Sequence, residues 1–161
     1  MIAQVAERKI FVSRSNVSDV ERLFGKKWSV LGGDKRSLGL HEIDLSQVAL
    51  KRSVRPSERL VHGRERRARL MISGDILLRI ETFALLWNDK VLIPEAWENE
   101  GRIFFDGSPL CGPPGKTEYI PYIEFSGRIW SYGTQWIENY WSSRDVSAVL
   151  PWNYKRLQEK K

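Results

Sequence analysis

Between Lys51 and Arg69 the chain concentrates eight cations, Lys51, Arg52, Arg55, Arg59, Arg64, Arg66, Arg67 and Arg69, against only Glu58 and Glu65. The +6 of this stretch equals the formal charge of the whole protein. Guanidinium groups fork onto phosphate oxygens, and neutralising a nucleic-acid backbone releases its condensed counterions, so phosphate binding is the chemistry such a segment suits. Pro56 fits a first helical turn, and the spacing predicts a helix from Pro56 to about Ile72, with Gly63 its weak point. On that helix Leu60, Val61, Ala68, Met71 and Ile72 share one face, and Arg55, Arg59, His62, Arg66 and Arg69 the other. The expectation is a helix that docks by its apolar side and offers its arginines outward. The same arginines could instead pair with carboxylates of the segment 89–124, or meet an acidic protein surface.

Other reactive residue types are sparse. Two histidines, His41 and His62, are the whole supply of neutral-pH bases, and Cys111 sits in a Gly- and Pro-rich loop. Glu95, Glu98, Glu100 and Asp106 could converge on a cation, but turns carry such acids routinely. A metal nuclease needs an Asp and a Glu-x-Lys on a strand, and the one such triplet in the body of the chain, Glu7-Arg8-Lys9, has no Asp before it. Gly112-Pro113-Pro114-Gly115-Lys116-Thr117 looks like a nucleotide phosphate loop two residues short, followed by strand-forming residues where a helix is required, so it reads as a turn. The expectation is a non-enzymatic protein with no cofactor and no metal site.

Gly63-Arg64-Glu65-Arg66-Arg67, within residues 60–80, resembles the "GERR" box of the ParB and sulfiredoxin-like superfamily. The resemblance implies a strand running into a helix whose start contacts nucleotide phosphates. It covers about 20 of 161 residues, with one residue inserted between the Gly and the Glu.

The elements that must position these groups follow from pattern and punctuation. Lys9 to Val12 reads as a strand, and Ser18 with Glu21 as a capping box opening a helix. Leu38 to Leu50 alternates as a strand would, while Ile76, Leu77, Ile80, Phe83, Ala84 and Trp87 recur at helical spacing. Val91 to Ile93, Arg102 to Phe105, Tyr119 to Phe125 and Arg128 to Tyr132, the last two joined by a Ser126-Gly127 turn, suggest an antiparallel meander. Thr134 could cap a helix bearing Trp136, Ile137, Tyr140 and Trp141, with one more turn before Pro151. The aromatics Trp130, Tyr132, Trp136, Tyr140 and Trp141 read mainly as core, with Tyr132 and Trp136 the possible surface contacts.

Composition bounds the rest. No repeat or linker divides the 161 residues, so one domain is expected, basic and helical over about 1–75 and aromatic and strand-rich over about 76–161. The front half carries 16 Lys or Arg against 9 Asp or Glu, the back half 10 against 11, and 15 of the 18 aromatics lie behind. The expected class is α+β, with helices packed against a small antiparallel meander sheet. One cysteine, no signal-like N-terminus and no long apolar run place the protein in the cytoplasm, away from membranes. The functional expectation is a small nucleic-acid-binding protein. The alternative is an adaptor or inhibitor, of the kind found in phages and mobile elements, using the basic helix and exposed aromatics on a protein partner.

Overall fold

The structure is a computed structural model that describes residues 8–12, 17–113 and 117–159. The extreme N-terminus, Glu7 of the Glu-x-Lys triplet and the centre of the turn at 112–117 lie outside these residues.

The chain runs β1 (Lys9–Phe11), α1 (Val17–Phe24), β2 (Ser29–Val30), α2 (Lys35–Leu38), β3 (Glu42–Asp44) and β4 (Ala49–Lys51). It continues through β5 (Leu60–His62), α3 (Gly63–Ser73), β6 (Ile76–Leu77), α4 (Ile80–Asn88), β7 (Ile103–Phe104) and β8 (Leu110–Gly112). It ends with β9 (Thr117–Ser126), β10 (Ile129–Trp136), β11 (Tyr140–Ser142), β12 (Val146–Leu150) and α5 (Tyr154–Glu159).

A mixed sheet of eight strands organises these elements. Its path is β2-β8-β9-β7-β12-β4, with β10 added on β9 and β6 on β12. Among the described residues only the β12–β7 pair is parallel. Two-stranded ribbons, β1–β3 and β11–β5, complete the fold. The expected arrangement, helices packed against a small antiparallel meander, is overturned by this large mixed sheet. Short, widely separated segments such as β6, β7 and β12 pair across the chain, and no window of sequence displays a register set by partners up to 100 residues away.

The hairpin β9–β10 is the local exception. Gly127 and Arg128 both have positive φ, 59° and 69°, and link Ser126 directly to its partner Ile129. That is the two-residue turn whose twist matches antiparallel strands. Other elements shift. The helix α1 begins at Val17, so Ser18 lies inside its first turn and not at its cap. The segment Leu38 to Leu50 breaks into β3, a single 3-10 turn at Leu45–Gln47, and β4. Asp44 caps that turn, its side chain accepting from Ser46 N–H at 3.0 Å. Ile76 and Leu77 leave the expected helix to form β6, and Val91 falls in a 3-10 turn, not in a strand.

The helix predicted from Pro56 starts only at Gly63, because Leu60, Val61 and His62 pair with Ser142, Trp141 and Tyr140 as β5. The helix predicted from Thr134 does not form: β10 runs through Trp136, a turn closes with Asn139 N–H donating to the Trp136 carbonyl at 2.9 Å, and β11 follows. Residues beyond it form β12, whose five positions are all buried. Apolar residues at helical spacing here serve strands and a turn, since Ile137 and Trp141 are both buried while Tyr140 between them is 58% exposed.

The main core draws on both halves of the chain, from Ile10, Val20 and Ile43 to Phe83, Phe105, Ile123 and Tyr154. A second cluster, Val54, Val61, Phe104, Ile120, Ile137 and Trp141, seats the β5–β11 ribbon on the sheet. Gly63 is where ribbon and helix meet. Its N–H donates to the Asn139 carbonyl at 2.9 Å, and a Cβ there would lie 2.1 Å from the Ile137 carbonyl oxygen and 2.4 Å from the Trp141 ring. Gly74, which ends α3 at φ 76°, has open space around it. Gly63→Ala should therefore destabilise by about 3 kcal/mol through overpacking, and Gly74→Ala by only about 1–2 kcal/mol through its left-handed conformation. Urea denaturation of the two variants checks that order.

Candidate functional site

The basic segment is placed almost opposite to its expected orientation. Gly63, Arg66 and Leu70 face inward from α3, whereas Met71 and Ile72 are 64% and 86% exposed. The physical reason is a receptor for the Arg66 guanidinium inside the fold. Asp106 follows β7 and takes both terminal nitrogens of Arg66, the Arg66 Nη2 to Asp106 Oδ2 bond being 2.8 Å. The Ser147 hydroxyl on β12 donates to the same carboxylate at 2.5 Å. The rings of Phe104 and Trp141 each lie 5.0 Å from the guanidinium carbon. Arg66 is 2% exposed, so it has no route to a phosphate backbone.

Five of the other seven cations have partners as well. Lys51 pairs with Asp75, Arg52 with Glu100, Arg64 with Glu138, Arg67 with Glu118, and Arg69 with Glu58 and Glu65. Arg69 is also held by the Ser53 carbonyl at 2.7 Å, which ties the strip 53–58 back onto α3. Glu100, Asp106 and Glu118 come from the acidic segment 89–124, so the front of the chain docks on the back through these pairs. Of the eight cations, Arg55 and Arg59 form no salt bridge among the described residues, and both are exposed.

The two aromatic positions separate. Tyr132 donates its hydroxyl to the Leu23 carbonyl at 2.7 Å and packs edge-on against Phe24 and Trp87, with centroids 5.5 and 4.5 Å away. It belongs to the core. Trp136 is 41% exposed. Tyr140, expected in the core, is the ring that the fold exposes. Strand alternation puts Val61 and Trp141 inward, and Leu60, His62, Tyr140 and Ser142 on the outer face of the β5–β11 ribbon. The Tyr140 and His62 rings meet edge to face at 5.3 Å. His62 Nε2 lies 3.2 Å from Glu138, which also binds Arg64. The Arg64 guanidinium beside it holds the Glu138 carboxyl below the usual range. The alternation of 60–62 and 140–142 was the signal that could have marked this face, had the two segments been read as strands.

Beside the ribbon, Arg52 donates to the Ser143 carbonyl at 3.0 Å and remains 53% exposed, as Arg64 does at 60%. Arg59 immediately precedes β5. The outer face thus joins an exposed aromatic, an exposed Leu60 and a rim of arginines. Chemically it can stack on a flat ring and donate charged hydrogen bonds at its edge.

Among the described residues no group of three or more His, Cys, Asp or Glu side chains could hold a metal ion, and no helix is long and apolar enough to cross a membrane. Cys111 is buried in β8. No family model, curated protein or solved structure matches this chain. Within the GERR-like stretch, β5 does run directly into α3, but the second arginine after Glu65 is Arg67, bound to Glu118, and the first, Arg66, is buried.

Two tests follow. Removing one member of a buried ion pair strands the other, so Arg66→Ala should lose about 3–5 kcal/mol, while Arg66→Met with Asp106→Leu should lose less than the single change. Chemical denaturation of both variants measures this. The second test concerns Glu58, whose carboxyl is held at about 2 by the Arg69 guanidinium first and the Arg55 N–H second, down from an ordinary 4.5. A depressed carboxyl adds stability above its unfolded pKa and loses it as pH falls through the folded value. The Arg69 tether should therefore be intact above pH 4.5 and released toward pH 2. A carboxyl NMR titration should find the Glu58 midpoint near 2, and higher in Arg69→Ala, where the Arg55 N–H still lowers it.

Proposed function

We propose that this protein is a non-enzymatic nucleic-acid-binding protein of the cytoplasm whose contact face is the outer side of the β5–β11 ribbon, not the inward side of α3. One observation carries the reading: Tyr140, 58% exposed, and Leu60, 50% exposed, stand on one strand face with Arg59 and Arg64 at its edge. Exposed rings beside cations are the arrangement that stacks single-stranded bases while arginines hold the backbone. The excess of +6 supports it by drawing a polyanion toward the surface over long range. Base stacking tolerates any sequence, so the preference expected is for single strands over duplex, with little sequence selectivity.

The second reading, an adaptor or inhibitor that docks on an acidic protein surface, draws on the same face. Leu60, Tyr140 and the half-exposed Trp136 are residue types that anchor protein interfaces.

Fluorescence anisotropy of labelled single- and double-stranded DNA and RNA, at low and near-physiological salt, decides between them. Tyr140→Ala should weaken single-strand binding by about 1–3 kcal/mol, or roughly fivefold to 150-fold. Arg59→Ala with Arg64→Ala should weaken all sequences evenly and flatten the salt dependence by about two counterions. These positions are exposed, so the variants keep their fold, unlike changes at Arg66. Absence of binding at low salt overturns the nucleic-acid reading and leaves the protein-docking one to be tested by pull-down with the Tyr140→Ala control.

A further inference from the structure

A strand that ends a sheet leaves a row of N–H and C=O groups on which another strand can form. Among the described residues β10 pairs only with β9, and its turn fixes which groups are left over. The two-residue turn makes Ser126 and Ile129 an exchanged hydrogen-bonded pair, so Ser131, Gly133 and Gln135 also direct their backbone groups at β9. Trp130, Tyr132 and Thr134 direct theirs away from it. The far side of β9 has the matching phase: Pro121, opposite Thr134, turns its carbonyl away from β10 and accepts from the Phe105 N–H at 2.9 Å. Among the described residues, the backbone groups of Trp130, Tyr132 and Thr134 have no hydrogen-bond partner.

This edge differs from the others of the sheet. β2 and β6 are two residues long, and β4 is three residues long and carries Lys51. β10 runs for eight residues, Ile129 to Trp136, with no charge and no proline. Folded chains ordinarily blunt a free edge with shortness, lysine or proline, and β10 has none of these.

The free groups are spaced symmetrically about Tyr132, which selects the occupant. We propose that β10 pairs antiparallel with β10 of a second copy of this chain, about a two-fold axis at Tyr132, and so joins two sheets into one. Trp130 of each copy then faces Thr134 of the other, Tyr132 faces Tyr132, and every pair exchanges both backbone bonds. The strand is uncharged, so no like charges are opposed across it. The same register sets Arg128, exposed at the turn, opposite Trp136 of the second copy, 41% exposed, and symmetry repeats that cation–ring contact. A strand of unrelated sequence would find the backbone groups but not these two contacts. The dimer uses Trp136, but its pairing does not rest on the nucleic-acid face at β5–β11.

The test is sedimentation of the full chain over a wide range of concentration, with amide hydrogen exchange measured at both ends of the range. The expected result is a reversible dimer of twice the 18.7 kDa of one chain, in which the Trp130, Tyr132 and Thr134 amides exchange more slowly than in the monomer. Thr134→Pro removes an outward N–H that β9 does not use, a position where an edge strand tolerates proline, and should weaken the dimer roughly tenfold or more. Ser131→Lys, at an exposed position, sets a charge on either side of the two-fold axis and should weaken it in the same direction. Thermal melts establish that each variant is folded, and if Thr134→Pro does not fold, Ser131→Lys carries the test. Tyr140→Ala should leave the dimer intact, which separates this result from the nucleic-acid one. A dimer that a folded edge variant leaves unchanged, or one that forms without slowing the three amides, overturns the inference. A monomer at every concentration also overturns it, and leaves the edge to an extended segment of another protein.

Discussion

A guanidinium taken out of water needs a counter-charge and acceptors for its N–H groups at the same time, and Arg66 meets both needs in a single carboxylate. Four separate parts of the chain converge on it: α3 brings Arg66, the turn after β7 brings Asp106, β12 brings Ser147, and the rings come from β7 and β11. Because a half-made buried pair is far worse than none, this convergence admits one arrangement of helix, ribbon and sheet. The orientation of α3 follows from it, and with that the exposure of Met71 and Ile72 on the opposite side.

The pairing repeats in weaker form around this centre. Arg102 lies near the same Phe104 ring, 5.2 Å away, and is held by both oxygens of Asp145 at 2.9 Å. Arg52, Arg64 and Arg67 reach from the front of the chain to acids of the back. Exposed pairs of this kind add little stability each. Their effect here is to lay the basic front along the acidic back and to leave Arg55 and Arg59 as the cations of 51–69 without a salt bridge among the described residues. A strongly basic segment has become an internal scaffold.

The legible parts of the fold were those decided by near neighbours in the chain. The β9–β10 hairpin shows its turn residues in sequence, β1 and α1 show their periodicity, and α4 shows its buried stripe. The parts that were not legible are those in which a distant partner overrides local pattern. Trp136, Ile137, Tyr140 and Trp141 have helical spacing, yet pairing with β5 makes 140–142 a strand. Residues 56–62 continue a helical pattern backward from α3, yet Val61 is worth more under Trp141 in the second core than on a helix face.

For the candidate sites, the amino-acid sequence by itself determined the inventory: an excess of cations concentrated in 51–69, aromatics concentrated behind them, and few groups suited to general-base, thiol or metal chemistry. It also showed that acids of 89–124 were available as partners. Only the tertiary structure decided which cation meets which acid, and so which are spent. Charge in a sequence is a sum, whereas charge available to a ligand is what remains after desolvation and pairing. Those depend on which side chains are brought within a few ångströms of one another, and for Arg66 and Asp106, forty positions apart in the chain, only the completed fold does that.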